Sequence, residues 1–115
     1  MNIMVCYDGG ALSGKALEAA VERCRLLGAR LSVVQAMVGG AEVPREEFQK
    51  KEEELKRIRR HWRENGIECD SILLVQGLEP GEALVQYARG HAVDEIVIGV
   101  RRRSRVGKLL FGSTA

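Results

Sequence analysis

Two stretches of this 115-residue chain hold residues able to do chemistry. The first is Tyr7-Asp8-Gly9-Gly10, where a carboxylate and a phenol end an apolar run, Asn2-Ile3-Met4-Val5-Cys6-Tyr7. The second is Gly99 to Ala115, which carries Arg101, Arg102, Arg103, Arg105 and Lys108 without an acidic residue and closes with Gly112-Ser113-Thr114. A glycine at the end of a strand, followed by Gly-Ser at a helix start, presents backbone N–H groups to an anion. The plain alternative is a solvated basic loop.

Charge is distributed so as to favour a local site. The net charge is +2, but five of the 18 Lys and Arg lie in the Arg101–Lys108 stretch. The rest of the chain sets 13 bases against 16 acids, a balance of −3. Basic runs do bind nucleic-acid phosphates, but the helices here balance bases with acids, aromatics make up 4% and no nucleic-acid-reading motif is present. The apolar share of 45% and charged share of 30% are those of an ordinary soluble domain. Cys6, Cys24 and Cys69 form no C-x-x-C pair, so they read as reduced thiols of a cytoplasmic protein rather than zinc or redox ligands. No apolar run approaches the length of a membrane span.

Positioning these residues requires a sheet. The run from Asn2 is apolar on both sides, as in a central parallel strand. A helix follows, with Ser13 as N-cap, Leu17, Ala20, Val21, Cys24 and Leu27 inward, and Gly28 closing it. Leu31–Val38 is a second strand, ended by Gly39-Gly40. Pro44 opens a long helix with Phe48, Leu55, Ile58 and Trp62 as an apolar stripe. Its pairs Glu46/Lys50, Glu47/Lys51, Glu52/Lys56 and Glu53/Arg57 stand four apart. Ser71–Val75, ended by Gly77, is a third strand, Pro80–Gly90 a third helix and Glu95–Ile98 a fourth strand. His61, Trp62 and His91 read as surface or packing residues. Strands alternating with helices predict one α/β domain over residues 1–115, in three α/β/α layers with a parallel sheet of order 3-2-1-4. Ligands of such sheets bind where the strand order reverses, so Asp8 and Gly99 should meet between the first and fourth strands.

Together these residues resemble the universal stress protein family over almost the whole chain. The likeness rests on the first strand with Asp8-Gly9 and Ser13, Gly77 with Pro80, Asp94-Glu95-Ile96-Val97-Ile98-Gly99, and Arg103 through Ser113. Nucleotide-binding members carry G-x-x-G, nine residues, then G-[S/T]. Here Gly99 and Gly112-Ser113 keep the spacing, and Arg102 replaces the middle glycine. The resemblance implies that Asp8 meets adenine or ribose with Tyr7 beside it and that the Ala36 backbone contacts adenine. Ile98 and Gly99 would line the ribose and first phosphate, and Gly112, Ser113 and Thr114 would cradle phosphates. A non-glycine forced into left-handed space costs roughly 1–2 kcal/mol. Arg101 and Arg102 could instead hold phosphate through paired guanidinium bonds. The family also continues from Gly-Ser through a helix into a fifth strand, so that strand is expected to be missing and the domain cut short at its C-terminus.

The implied function is a cytoplasmic, homodimeric stress-response protein that binds ATP or another adenine nucleotide, with or without Mg, as a sensor or regulator. A second reading is a dimeric interaction module in which Arg102 blocks the nucleotide. An enzyme of the related α-hydrolase type would carry Ser-Gly-Gly-x-Asp-Ser or His-x-Gly-His, and neither motif occurs. Slow ATP hydrolysis, with Asp8 holding a metal, is the remaining enzymatic reading.

Overall fold

A computed structural model describes residues 1–39, 43–76, 79–100 and, for the backbone, 108–113. Its elements are β1 (Asn2–Cys6), α1 (Ala11–Leu27), β2 (Arg30–Val38), α2 (Arg45–Glu64), β3 (Cys69–Gln76), α3 (Pro80–Gly90), β4 (Glu95–Val100) and β5 (Lys108–Ser113). The first four strands are parallel in the order β3-β2-β1-β4, as the alternation of elements predicts. Burial on both faces explains the unbroken apolarity of β1: Ile3, Met4 and Val5 are wholly buried. Ile3 and Val5 point into a core shared with α1 and α2, while Met4 points into a smaller core shared with α3.

The helices follow their apolar faces. In α1, Ala16, Leu17, Ala20, Val21 and Cys24 are buried, whereas Leu27 at the last turn is exposed. Gly28 closes α1 at φ 63, a left-handed position that suits glycine. In α2, Leu55 is buried with Ile58 and Trp62 packed beside it. The four expected i,i+4 charge pairs of α2 are not closed among the described residues. Exposed pairs of this kind gain little by closing, because solvent screens them and side-chain entropy opposes them. An ion pair between elements does form: Arg23 on α1 grips Glu95 at the start of β4 through two nitrogens, at 2.6 and 2.5 Å. His91 donates from Nδ1 to the Tyr87 carbonyl at the end of α3 and stacks on the Tyr87 ring, a capping role. His61 lies edge-on to Trp62.

Three expectations need correction. The helix after Asp8 starts at Ala11 with Gly10 as N-cap, so Ser13 lies in its first turn. Its hydroxyl is bound to Asp8 and therefore does not cap the helix. Gly99 is inside β4 rather than at its end, because β4 runs on to Val100. Most consequentially, Gly112-Ser113 is no helix start: residues 108–113 form β5, antiparallel to β4, with Gly112 opposite Ile96 and Ser113 opposite Glu95. The outer edge of β4 would otherwise leave a row of N–H and C=O groups unpaired, and this segment satisfies them. Gly40, Gly77, Arg101, Arg102 and Thr114 lie outside the described residues.

Candidate functional site

At the carboxyl ends of β1 and β4 the structure has a cleft of about 250 Å³. Cys6, Tyr7 and Asp8 enter it from β1 and the turn after it, and Ile98 and Gly99 from β4. Ala36 of β2, Leu12 and Ser13 of α1, and Pro80 and Leu84 of α3 complete the wall. Strand order places it there. β1 pairs with β2 on one side and β4 on the other, so chain connections leave in opposite directions and a crevice opens between them.

Asp8 is built into the turn. Its Oδ1 accepts from the Gly10 N–H at 2.8 Å and from the Ser13 hydroxyl at 2.7 Å, while its own N–H donates to Ser13 Oγ at 3.2 Å. The Gly10 bond closes an Asx turn over Gly9, whose φ of 86 is open to glycine at little cost. The Ser13 hydroxyl, and then the Gly10 amide, hold the Asp8 carboxyl below its usual range. Asp8 is therefore an ionised acceptor at neutral pH. No described residue donates to Oδ2, which leaves that oxygen for a ligand's hydroxyl or amine. A phosphate would be repelled there, so this end suits a sugar or base.

Gly99 answers a different demand. A Cβ added to it would stand 2.6 Å from the Leu12 carbonyl oxygen and 2.9 Å from the Leu12 carbonyl carbon. The first turn of α1 thus lies directly against β4, and only a residue without a side chain fits between them. That turn carries no acidic residue of its own and no side-chain cap; the Asp8 carboxylate, bound to the Gly10 N–H, supplies the negative charge at its positive end, beside the cleft.

Tyr7 is tied to α2: its hydroxyl donates to Glu54 Oε2 at 3.1 Å. Burial first, then the Glu54 charge, push the Tyr7 phenol above its ordinary range. A Tyr87→Phe background isolates Tyr7, because the chain has two tyrosines. In that background Glu54→Gln should bring the ionisation midpoint of Tyr7 down, but only partway, since burial remains. An unchanged ultraviolet titration curve would show that Glu54 does not act on the phenol.

Of the residues the sequence nominates, Tyr7, Asp8, Ala36, Ile98 and Gly99 converge on this cleft. Gly112 and Ser113 do not join them. They pair with Ile96 and Glu95 at the opening end of β4, about 10 Å or more along the strand from Gly99. The sequence pattern does not nominate Cys6, Leu12, Ser13, Pro80 or Leu84 as wall residues. Ser13 was legible as the hydroxyl five positions after Asp8, and Leu84 as an inward residue of α3. Among the described residues no group of three His, Cys, Asp or Glu could hold a metal, and no helix is long and apolar enough to cross a membrane. Cys6, Cys24 and Cys69 are free thiols, each pushed up to about 11 by burial.

The fold and cleft define a doubly wound α/β domain with its ligand crevice at the switch point. The model of the universal stress protein family matches residues 1–115, and the chain belongs to that family. It is 32% identical, over 97% of its length and 85% of the relative's, to "Universal stress protein in QAH/OAS sulfhydrylase 3'region" of Thermus aquaticus. It is similar to a universal stress protein structure from Archaeoglobus fulgidus, with a TM-score of 0.78 and 31% identity over 94% of this chain and 81% of that one. A universal stress protein structure from the same organism in complex with dAMP gives 0.74 and 31%, covering 85% and 79%.

Proposed function

We propose that this protein binds ATP or another adenine nucleotide in the cleft between β1 and β4, and acts as a sensor or regulator. The observation that carries the reading is the meeting of Asp8 and Gly99 at one crevice, with an ionised carboxylate oxygen left open and the positive end of α1 beside it. The likeness to a protein solved with dAMP supports it. At about 250 Å³ the cleft falls just below the roughly 300–1,000 Å³ usual for small-molecule sites. That size suits a nucleoside, with the phosphates extending beyond it.

In this reading Asp8 accepts from ribose or adenine with Tyr7 beside it, and Ala36 offers backbone to the base. Ile98 and Gly99 line the sugar. Phosphates then fall to Arg101 and Arg102, two and three positions after Gly99, and to Gly112, Ser113 and Thr114, with or without Mg. Contact by Gly112 and Ser113 requires residues 108–113 to leave β4. Homodimerisation and a cytoplasmic setting belong to the same proposal; the outer edge of β5 suits pairing with a second copy, and free thiols suit a reducing compartment.

One observation favours a second reading, an interaction module without nucleotide: Gly112 and Ser113 are committed to β5, away from the cleft. Calorimetric titration with ATP, AMP and adenosine separates the two. Saturable heat, with ATP at least tenfold tighter than adenosine, is expected if phosphates are held. Absence of heat at millimolar nucleotide leaves only the module.

A further inference from the structure

The geometry points to a second binding surface, unrelated to the cleft: the outer edge of β3, with the basic half of α2, docks an extended acidic strand of another protein. Among the described residues β3 is the edge of the sheet and pairs only with β2. The Glu68 carbonyl accepts from Leu31 N–H on β2, whereas the Cys69 carbonyl accepts from Arg63 Nε. Backbone groups of successive strand residues face opposite sides. The even positions of β3 therefore face β2, and the N–H and C=O of Ser71 and Leu73 face outward. No described residue bonds to these outward groups. The usual protections of an edge strand, a lysine, a proline or a bulge, are absent from Ser71-Ile72-Leu73-Leu74.

Charge selects the occupant. Ser71 and Leu73 share a groove with Glu52, Leu55, Lys56 and Arg59, and Lys56 and Arg59 also line the adjoining groove with Arg60, Arg63 and Glu64, so bases outnumber acids in both. From Lys56 to Arg63 the helix has five Lys and Arg and no acid. Only Arg63 among them is in an ion pair between described residues, with Asp70. An added strand would bond through its backbone and place alternate side chains on the two faces. Acidic residues would then meet Lys56 and Arg59, and apolar ones would meet half-buried Ile72 and Leu74 on the α3 side. A second copy fits poorly, since a two-fold contact at this edge sets each basic groove against its own likeness.

The probe is an acetylated, amidated (Asp-Val)4 peptide, titrated against the full chain by calorimetry and amide NMR. Saturable binding is expected, with shifts and exchange protection at Ser71 and Leu73. (Lys-Val)4, and (Asp-Val)4 N-methylated at alternate amides, should bind at least tenfold more weakly. Lys56→Glu with Arg59→Glu should lose at least tenfold while keeping the melting temperature. Ser71→Pro should also lose binding, because it removes an outward donor and leaves the ladder to β2 intact. No binding at millimolar peptide, equal binding of the N-methylated peptide, or shifts confined to the Arg101–Arg105 stretch would overturn the proposal. So would self-association that Ser71→Pro abolishes, which would assign the edge to a second copy.

Discussion

Gly99→Ala will lower the melting temperature by about 4–12 °C. The added methyl would stand 2.6 Å from the Leu12 carbonyl oxygen, which is backbone and cannot swing aside. Either the first turn of α1 or the end of β4 must move. Overpacking of this kind typically costs about 1–3 kcal/mol, and 1 kcal/mol shifts the melting point of a domain this size by roughly 4 °C. Adenine nucleotide affinity should fall at least tenfold, because both elements that move line the cleft. Gly14→Ala is the control. Gly14 is inside α1 with open space where a Cβ would go, so alanine there should stabilise by about 0.4–1 kcal/mol. If Gly99→Ala melts like the parent chain, the contact between α1 and β4 is not as tight as described.

Asp8 should separate stability from binding. Asp8→Ala removes two bonds that a charged acceptor receives, from Gly10 and Ser13, and should cost about 1–3 kcal/mol. It should also cut adenine nucleotide affinity at least tenfold. Asp8→Asn keeps an oxygen for Gly10 and Ser13 but puts an NH₂ where Oδ2 stood, and an NH₂ cannot accept from a sugar hydroxyl. Asparagine should therefore restore most of the melting temperature while binding stays weak. Nucleotide affinity unchanged in both variants would remove Asp8 from the site. The pH dependence has a definite sign. The folded-state pKa of Asp8 is depressed, so its stabilisation is fully present above the ordinary aspartate range near 3.9 and is lost as pH falls through the lower folded value. Denaturant titrations at stepwise lower pH should show a shallower acid loss in Asp8→Asn than in the parent.

Much of the architecture is legible in the chain because local physics carries it. The apolar run from Asn2, the periodic stripes of α1 and α2, the glycine after Leu27 and the prolines at 44 and 80 each act over a few residues. Their alternation then admits few topologies, since crossovers between parallel strands are right-handed. Asp8 and Gly99 are thereby placed in one crevice at the switch point. The resemblance to the stress protein family names the same residues independently.

The site in detail was not legible, for reasons that lie outside any local window. Ser13 looks like an N-cap by type and position, yet the Asp8 carboxylate claims its hydroxyl. Gly99 reads as a residue for approaching phosphate, while the neighbour that forbids a side chain there is Leu12 of α1. Gly112-Ser113 carries the spacing of a phosphate loop, but an unpaired edge of β4 draws the segment into β5. Composition, periodicity and turn chemistry determined which elements form and in what order they lie. Only the tertiary structure decided which polar group each hydroxyl meets, which glycine is hemmed in by backbone and which strand edge stays open. These are contests between partners distant in the chain, settled by distance and by the cost of leaving a hydrogen-bonding group unpaired.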